Sequence, residues 1–257
     1  AADVLAYVQA HGPVHPRQVE QHFAHGNVTN YWGGSSSATT HLLDGMHYRG
    51  MLRVVRRDSG TRVYEAVAHP PTDDSPASRA QRAAALVALV VHKYAPLPAA
   101  SLTYLVRLLG YGAPHLAPQI QTALRLAKQE LASCQINGTT WYWPADENPA
   151  SRRHTPDGAV RLLAPFDPVV WDRRRFTLLW DWTYKFEAYT PAPQRKLGYY
   201  ALPLLWHDRV IGWANVTAPQ GHMVVNFGYA DKAPQGADFR AALDDELQRM
   251  AYFLAAH

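Results

Sequence analysis

Four arginines, Arg53, Arg56, Arg57 and Arg62, flank the turn Asp58-Ser59-Gly60. Upstream, Ser36, Thr39 and Thr40 open a segment with helical apolar spacing. Guanidinium groups neutralise phosphate oxygens in a planar fork, and hydroxyls beside the free N–H groups of a helix start bond the same oxygens. The chemistry that suits these types and spacings is a grip on a nucleic-acid backbone, with the arginines on phosphates or in a minor groove. The competing reading of the arginine cluster is a solvated hairpin face with no ligand. Further along, Arg173-Arg174-Arg175 sets three guanidiniums in a row, and Pro191 and Pro193 stiffen a segment that ends in Arg195-Lys196. These also suit phosphates. Equally, they form a rigid corner whose arginines pair with Asp172 or Glu187.

Groups able to make or break bonds are harder to find. Gln18-Val19-Glu20 and Gln135-Ile136-Asn137 each set two polar residues around an apolar one. The first lies on a predicted helix, where a residue and its second neighbour point apart, and the second runs into a predicted turn that Asn serves by its geometry. The sequence holds no GxSxG, P-loop or GxGxxG. Asp73-Asp74 and Asp244-Asp245 read as solvated pairs, whereas Asp167, Asp172, Asp181 and Glu187 sit among aromatics and arginines and read as structural ion pairs. No catalytic residue is assigned. There are 13 histidines, but His11, His15, His22, His25, His41 and His47 lack a closed ligand spacing, and no HExxH or CxxC occurs. Neither a metal nor a cofactor is expected. The pair Tyr31-Trp32 would stack on a base if exposed and fill a core if buried; burial is the favoured reading.

The positioning elements follow from periodicity. Val4, Leu5 and Val8 mark a first helix, and Gly12-Pro13 stops it. Pro16 opens a second helix, Arg17 to His25. Ser35-Ser36-Ser37 offers caps for a third, which carries Leu42, Leu43 and Met46 and ends near Gly50. Met51 to Arg57 and Thr61 to Val67 then predict a hairpin. Three helices and a hairpin is the winged-helix order, with the third helix as reader and the hairpin as wing. After a Pro/Asp/Ser-rich linker the order returns. Helices are predicted over 77–94, 98–109 and 118–131, then a hairpin around Asn137-Gly138. Beyond a second linker the period changes to two. Strands are expected at Val160–Leu163, Tyr184–Tyr189, Tyr199–Leu205, Val210–Val216 and Met223–Phe227, followed by a helix from Phe239 to Leu254. The expected class is α+β: winged-helix domains over 1–68 and 77–143, then a β-barrel-like domain with a terminal helix over 157–257.

Composition sets looser bounds. Over 257 residues, Lys plus Arg number 25 and Asp plus Glu 21, a net charge of +4 that favours a polyanion only weakly. Cys134 is the only cysteine, so no intrachain disulfide can form and a reducing, cytoplasmic location is expected. No apolar run reaches transmembrane length, so no membrane partner is expected. The first residues are already helical and no initiator Met precedes them, which suggests a processed or truncated chain or a removed tag. A monomer is expected.

The densest signal is Leu162-Leu163-Ala164-Pro165-Phe166-Asp167-Pro168-Val169-Val170-Trp171-Asp172-Arg173-Arg174-Arg175. It continues as Tyr184-Lys185-Phe186-Glu187-Ala188-Tyr189-Thr190-Pro191-Ala192-Pro193-Gln194-Arg195-Lys196, then Gly198-Tyr199-Tyr200-Ala201-Leu202-Pro203-Leu204-Leu205. This closely resembles the YcaQ/AlkZ family of bacterial winged-helix DNA glycosylases. The resemblance follows the whole chain in order and is most specific in its C-terminal third. It implies a C-shaped clamp on duplex DNA, and excision of bulky alkylated bases or unhooking of interstrand crosslinks by N-glycosidic hydrolysis. It also implies a further winged-helix module with a Gln-apolar-Gln or Gln-apolar-Asp motif that activates water. Neither tripeptide above occupies that module, so the expected role of this chain is DNA binding. Two other readings stay open: a winged-helix transcriptional regulator with a ligand-sensing β-domain, and a protein-interaction scaffold. The first predicts preference for one operator sequence, the second no DNA binding even at low salt.

Overall fold

A computed structural model describes residues 1–30, 33–70 and 73–255. The pair Tyr31-Trp32 lies outside the described residues. The chain forms two compact units, residues 1–81 with 109–117, and residues 82–108 with 118–257.

The first unit begins with α1 (Ala2–His11), which ends at Gly12 in a left-handed backbone. Helix α2 (Pro16–Phe23) starts with a reciprocal cap: His15 accepts the N–H of Arg17, and Gln18 accepts the N–H of His15 at 2.7 Å. A small antiparallel ribbon follows, β1 (Asn27–Thr29) against β2 (Ser35–Ser37), then α3 (Ala38–Tyr48). The hairpin β3 (Leu52–Asp58) and β4 (Thr61–Ala66) completes the unit. Val14 exchanges both backbone hydrogen bonds with Tyr64, at 2.8 and 2.9 Å, which ties the α1–α2 connection to the hairpin. The core is Val4, Val8, Val14, Val19, Leu43, Met46, Leu52 and Tyr64. Helices α1 and α3 each contribute an apolar stripe to it and α2 contributes Val19, and burying such side chains contributes roughly 1.5–3 kcal/mol apiece.

The second unit takes in most of α4 (Pro76–Tyr94), then β5 (Leu97–Pro98), most of α5 (Ala99–Gly112) and of α6 (Ala117–Glu130), then β6 (Ala132–Ile136) and β7 (Thr139–Trp143). The strand order is β5-β7-β6. Asn137 and Gly138 both adopt positive φ, 49° and 75°, the conformation a two-residue hairpin turn requires.

The rest of this unit departs from the expected barrel. Strands β8 (Val160–Leu162), β9 (Ala201–Trp206), β10 (Arg209–Thr217) and β11 (Val224–Tyr229) form an open antiparallel sheet, order β11-β10-β9-β8. The reason it stays open lies in α9 (Ala237–Ala255), which covers the β8 edge. Glu246 accepts the N–H of Leu162 at 2.7 Å, and Arg249 donates to the Val160 carbonyl at 3.3 Å. Edge groups that barrel closure would pair are thus satisfied by side chains. Two short helices, α7 (Pro168–Trp171) and α8 (Arg173–Trp180), lie between β8 and β9, each capped by the aspartate before it, Asp167 and Asp172.

The strand expected at Tyr184–Tyr189 does not form; this stretch is loop and turn. Burial there does not follow the alternation of the sequence. Tyr184 is buried with Leu163, Val170, Phe176, Ala201 and Val210, and its hydroxyl bonds the Ala201 carbonyl at 2.7 Å. Glu187 is buried too, and its carboxylate bonds backbone further along the chain. These two inward positions are three residues apart, which a strand of period two would place on opposite faces, so the stretch is a loop anchored by side chains.

Candidate nucleic-acid interface

In the first unit, the site is built on α3 and the β3–β4 hairpin. Ser37, not Ser36, caps α3 by accepting the N–H of Thr40 at 3.3 Å. Ser36 sits before the cap, in β2, and accepts from the Asn30 amide at 2.8 Å. Thr40 is exposed in the first turn, where unpaired N–H groups and the helix dipole favour an anion. Thr39 is only 1% exposed, which corrects the expectation that it faces phosphate. The cause is helical register: Thr39, Leu43 and Met46 form the buried stripe of α3. The Thr39 hydroxyl instead donates to Glu20 and bonds the His25 Nδ1 at 2.9 Å. Glu20 also accepts from the Gly26 N–H at 3.1 Å and the Ser37 hydroxyl at 3.4 Å. The Thr39 hydroxyl above all, then the other donors, hold the Glu20 carboxyl below its usual pKa against a smaller opposing effect of burial.

The hairpin arginines are exposed or half-exposed and paired. Arg53 forks onto Glu65 across the strands at 2.9 and 3.1 Å, and Arg56 onto Asp58 at 3.0 and 3.2 Å. Arg62 reaches Asp44 of α3 at 2.7 Å, where the Tyr64 hydroxyl also donates at 2.5 Å. Arg57 bonds a neutral acceptor, the Gly60 carbonyl, at 3.0 Å. Arg57 and Arg62 are directly opposed in the ladder. Like charges in that relation repel, so an anion between them is stabilising. Exposed ion pairs are worth about 0–1 kcal/mol, so exchanging a carboxylate for a phosphate there costs little.

In the second unit, the arginine triplet divides. Arg174 is exposed at the start of α8. Arg173 turns inward, stacks over the Tyr184 ring at 4.3 Å, and donates to the carbonyls of Val170 and, at 2.9 Å, Pro165. Arg175 is 4% exposed and donates to the carbonyls of Tyr94 and, at 2.6 Å, Pro168. Both are structural, which corrects the view of the triplet as three phosphate ligands. One turn of α8 cannot aim consecutive side chains the same way. Burial lowers the pKa of Arg173 and Arg175, yet a guanidinium stays charged in any protein. Burial also pushes Tyr184 up to about 12.

The loop before β9 is held from inside. Glu187 Oε2 accepts the N–H groups of Lys196 at 2.8 Å, Leu197 at 2.7 Å and Gly198 at 3.3 Å. Burial pushes this carboxyl up, and the three N–H groups override it, leaving the pKa lowered. These bonds replace the ion pair expected of Glu187. Asn215 donates to the Leu197 carbonyl at 2.7 Å, close against Gly198 at φ 117°, where any Cβ would strike it. Arg195 bonds the Thr190 carbonyl at 2.8 Å and lies 4.9 Å from the Tyr199 ring centre. Lys196 is exposed. Sequence spacing could not find Glu20, Asp44 or Asn215, because each acts on backbone or side chains that only the fold brings near.

The two tripeptides carry no reactive geometry. Gln18 is a cap, Val19 is buried, and Glu20 is the hub above. Asn137 makes its turn. Among the described residues, no group of three or more His, Cys, Asp or Glu could hold a metal ion, and no helix is long and apolar enough to cross a membrane.

The family model described as DNA glycosylase AlkZ-like matches residues 1–253. The chain belongs to this family. Among solved structures, the DNA glycosylase AlkZ of Streptomyces sahachiroi is similar, with a TM-score of 0.49 and 13% identity over 88% of this chain and 56% of that one. The present chain thus spans little more than half the length of that relative. Of the basic residues expected to bind in this AlkZ-like chain, Arg53, Arg56 and Arg57 are exposed and Arg62 half-exposed in the first unit, and Arg174 and Lys196 are exposed and Arg195 half-exposed in the second.

Proposed function

We propose that this chain is the DNA-binding portion of a DNA repair glycosylase. The AlkZ-like family match over residues 1–253 carries this reading. The order of three helices and a hairpin in the first unit, and its near repeat from α4 to β7, support two winged-helix domains, over 1–68 and 77–143, ahead of a sheet domain over 157–257. In this reading α3 approaches a groove with Thr40 at its N-terminus, while Arg53, Arg56, Arg57 and Arg62 of the hairpin meet phosphates. Arg174, Arg195 and Lys196 contact backbone from the sheet domain. The substrate is duplex DNA bearing a bulky alkylated base or an interstrand crosslink, released by hydrolysis of the N-glycosidic bond. In this reading the water-activating Gln-apolar-Gln/Asp motif is not among these residues, so this chain binds without excision. It acts as a monomer in the cytoplasm.

The test is a mobility-shift titration on random-sequence duplex across a range of salt. Binding blind to sequence and falling steeply with salt is expected. Tight preference for a single sequence, or no binding at low salt, would sink the proposal. Excision of an alkylated base by this chain alone would overturn the placement of catalysis elsewhere.

A further inference from the structure

The loop before β9 does more than carry Arg195 and Lys196. Around it stand four rings open to water: Tyr189 is 88% exposed, Phe166 62%, Tyr199 59% and Tyr200 41%. Phe186 holds three of them together. Its ring centre lies 5.4 Å from Phe166, 6.2 Å from Tyr189 and 5.2 Å from Tyr200, with ring planes at 64°, 80° and 88°. An edge-on contact occupies one face of one ring at most, so the rings keep faces free for a further partner.

These rings are exposed on a rigid base. Glu187 fixes the backbone of residues 196–198, Asn215 fixes Leu197, and Arg195 fixes Thr190. Pro191 and Pro193 stiffen the turn between. Such a base prevents the rings from collapsing inward to bury themselves. A fixed cluster of exposed aromatics marks a binding surface, and its charge says which kind. Lys185 adjoins Phe186, Arg195 stacks on Tyr199, and Lys196 is exposed, whereas the loop's carboxylate, Glu187, is buried and used. Free aromatic faces interleaved with cations fit the bases and phosphates of a single strand, since every base offers a π-face. A proline-rich peptide would use the rings but has no call for the cations.

We propose that the Phe166–Phe186–Tyr189–Tyr199–Tyr200 cluster is a stacking platform for unpaired bases of a DNA strand. It rests on the DNA-binding reading above and adds to it a surface for locally opened duplex.

The test compares two probes at one salt concentration by fluorescence anisotropy: an intact duplex, and the same duplex with a short mismatched bubble. The bubble should bind roughly tenfold more tightly, the effect of about one stacked base. Replacing Tyr189 and Tyr200 together by Ala should abolish that preference and leave intact-duplex affinity and melting temperature unchanged, since both rings lie outside the core. The Tyr189→Phe/Tyr200→Phe pair should keep it, because stacking needs the ring and not the hydroxyl. Duplex binding without a bubble preference, or a preference that survives the Ala pair, overturns the platform alone. Failure to bind either probe overturns the DNA-binding reading and the platform with it. Binding of a proline-rich peptide that displaces the bubble probe from the rings, with the bubble preference absent, assigns the surface to another partner.

Discussion

The carboxylate of Glu246 accepts the backbone N–H of Leu162 at 2.7 Å, although the two residues stand 84 positions apart. Glu246 also holds Arg249 at 2.8 Å, and Arg249 bonds the Val160 carbonyl on the same strand edge. A helix side-chain pair therefore replaces a neighbouring strand. Glu246→Ala should lower stability by about 1–3 kcal/mol, the range for stranding a buried donor, and expose the β8 edge. Thermal unfolding followed by light scattering reads both effects. An unchanged midpoint would show that the edge does not depend on this bond.

Glu187 supplies a pH dependence with a definite sign. Its carboxyl pKa is lowered in the folded protein by three backbone N–H donors. Its stabilising contribution is therefore complete above the unfolded value of about 4.3 and is lost as pH falls through the lower folded value. Urea unfolding from about pH 5 to pH 3 should show the wild-type chain losing more stability than Glu187→Gln, whose side chain does not ionise. Parallel curves for the two proteins would remove Glu187 as the cause.

Arg174 and Arg175 are neighbours with opposite expected behaviour. Arg175→Ala removes a guanidinium that bonds the carbonyls of Tyr94 and Pro168, and should destabilise by about 2–4 kcal/mol. Arg174→Ala should leave the melting temperature within a degree or so and weaken duplex binding, with a shallower salt slope. Calorimetry and salt-dependent binding on the same two proteins separate the roles. Equal loss of stability in both would contradict the division.

Thr39 and Thr40 provide the same contrast on α3. Thr39→Val severs the link from Glu20 to His25 and should cost about 1–2 kcal/mol of stability with little change in DNA affinity. Thr40→Ala combined with Arg57→Ala should fold normally and weaken binding to duplexes of any sequence, with a salt slope smaller by about one. A change confined to one DNA sequence would point to base reading instead of backbone contact.

The helices and hairpins were legible because each is set by nearby residues. Apolar spacing marks α1 to α6, and Asn137-Gly138 marks its own turn. The open sheet was not legible, since its β8 edge is satisfied by Glu246 and Arg249, two ordinary polar residues of a long helix. Tyr184 to Tyr189 read as a strand because apolar and polar residues alternate there, yet the buried side chains are Tyr184 and Glu187, one from each set, each held by backbone that only the fold brings near. Among the candidate site residues, charge was visible and direction was not. Arg173 and Arg175 share a run with Arg174 but answer to carbonyls that folding brings to them. Thr39 and Thr40 differ only in phase around α3.

Asp44 gathers Arg62 and Tyr64 at one oxygen and so bolts α3 to the hairpin. With the Val14–Tyr64 bridge behind it, the angle between helix and hairpin is set by the protein before any ligand arrives. The pair works as a set square of fixed angle. A duplex laid against both arms would have to fit that angle, and the bending needed to do so would fall on the DNA.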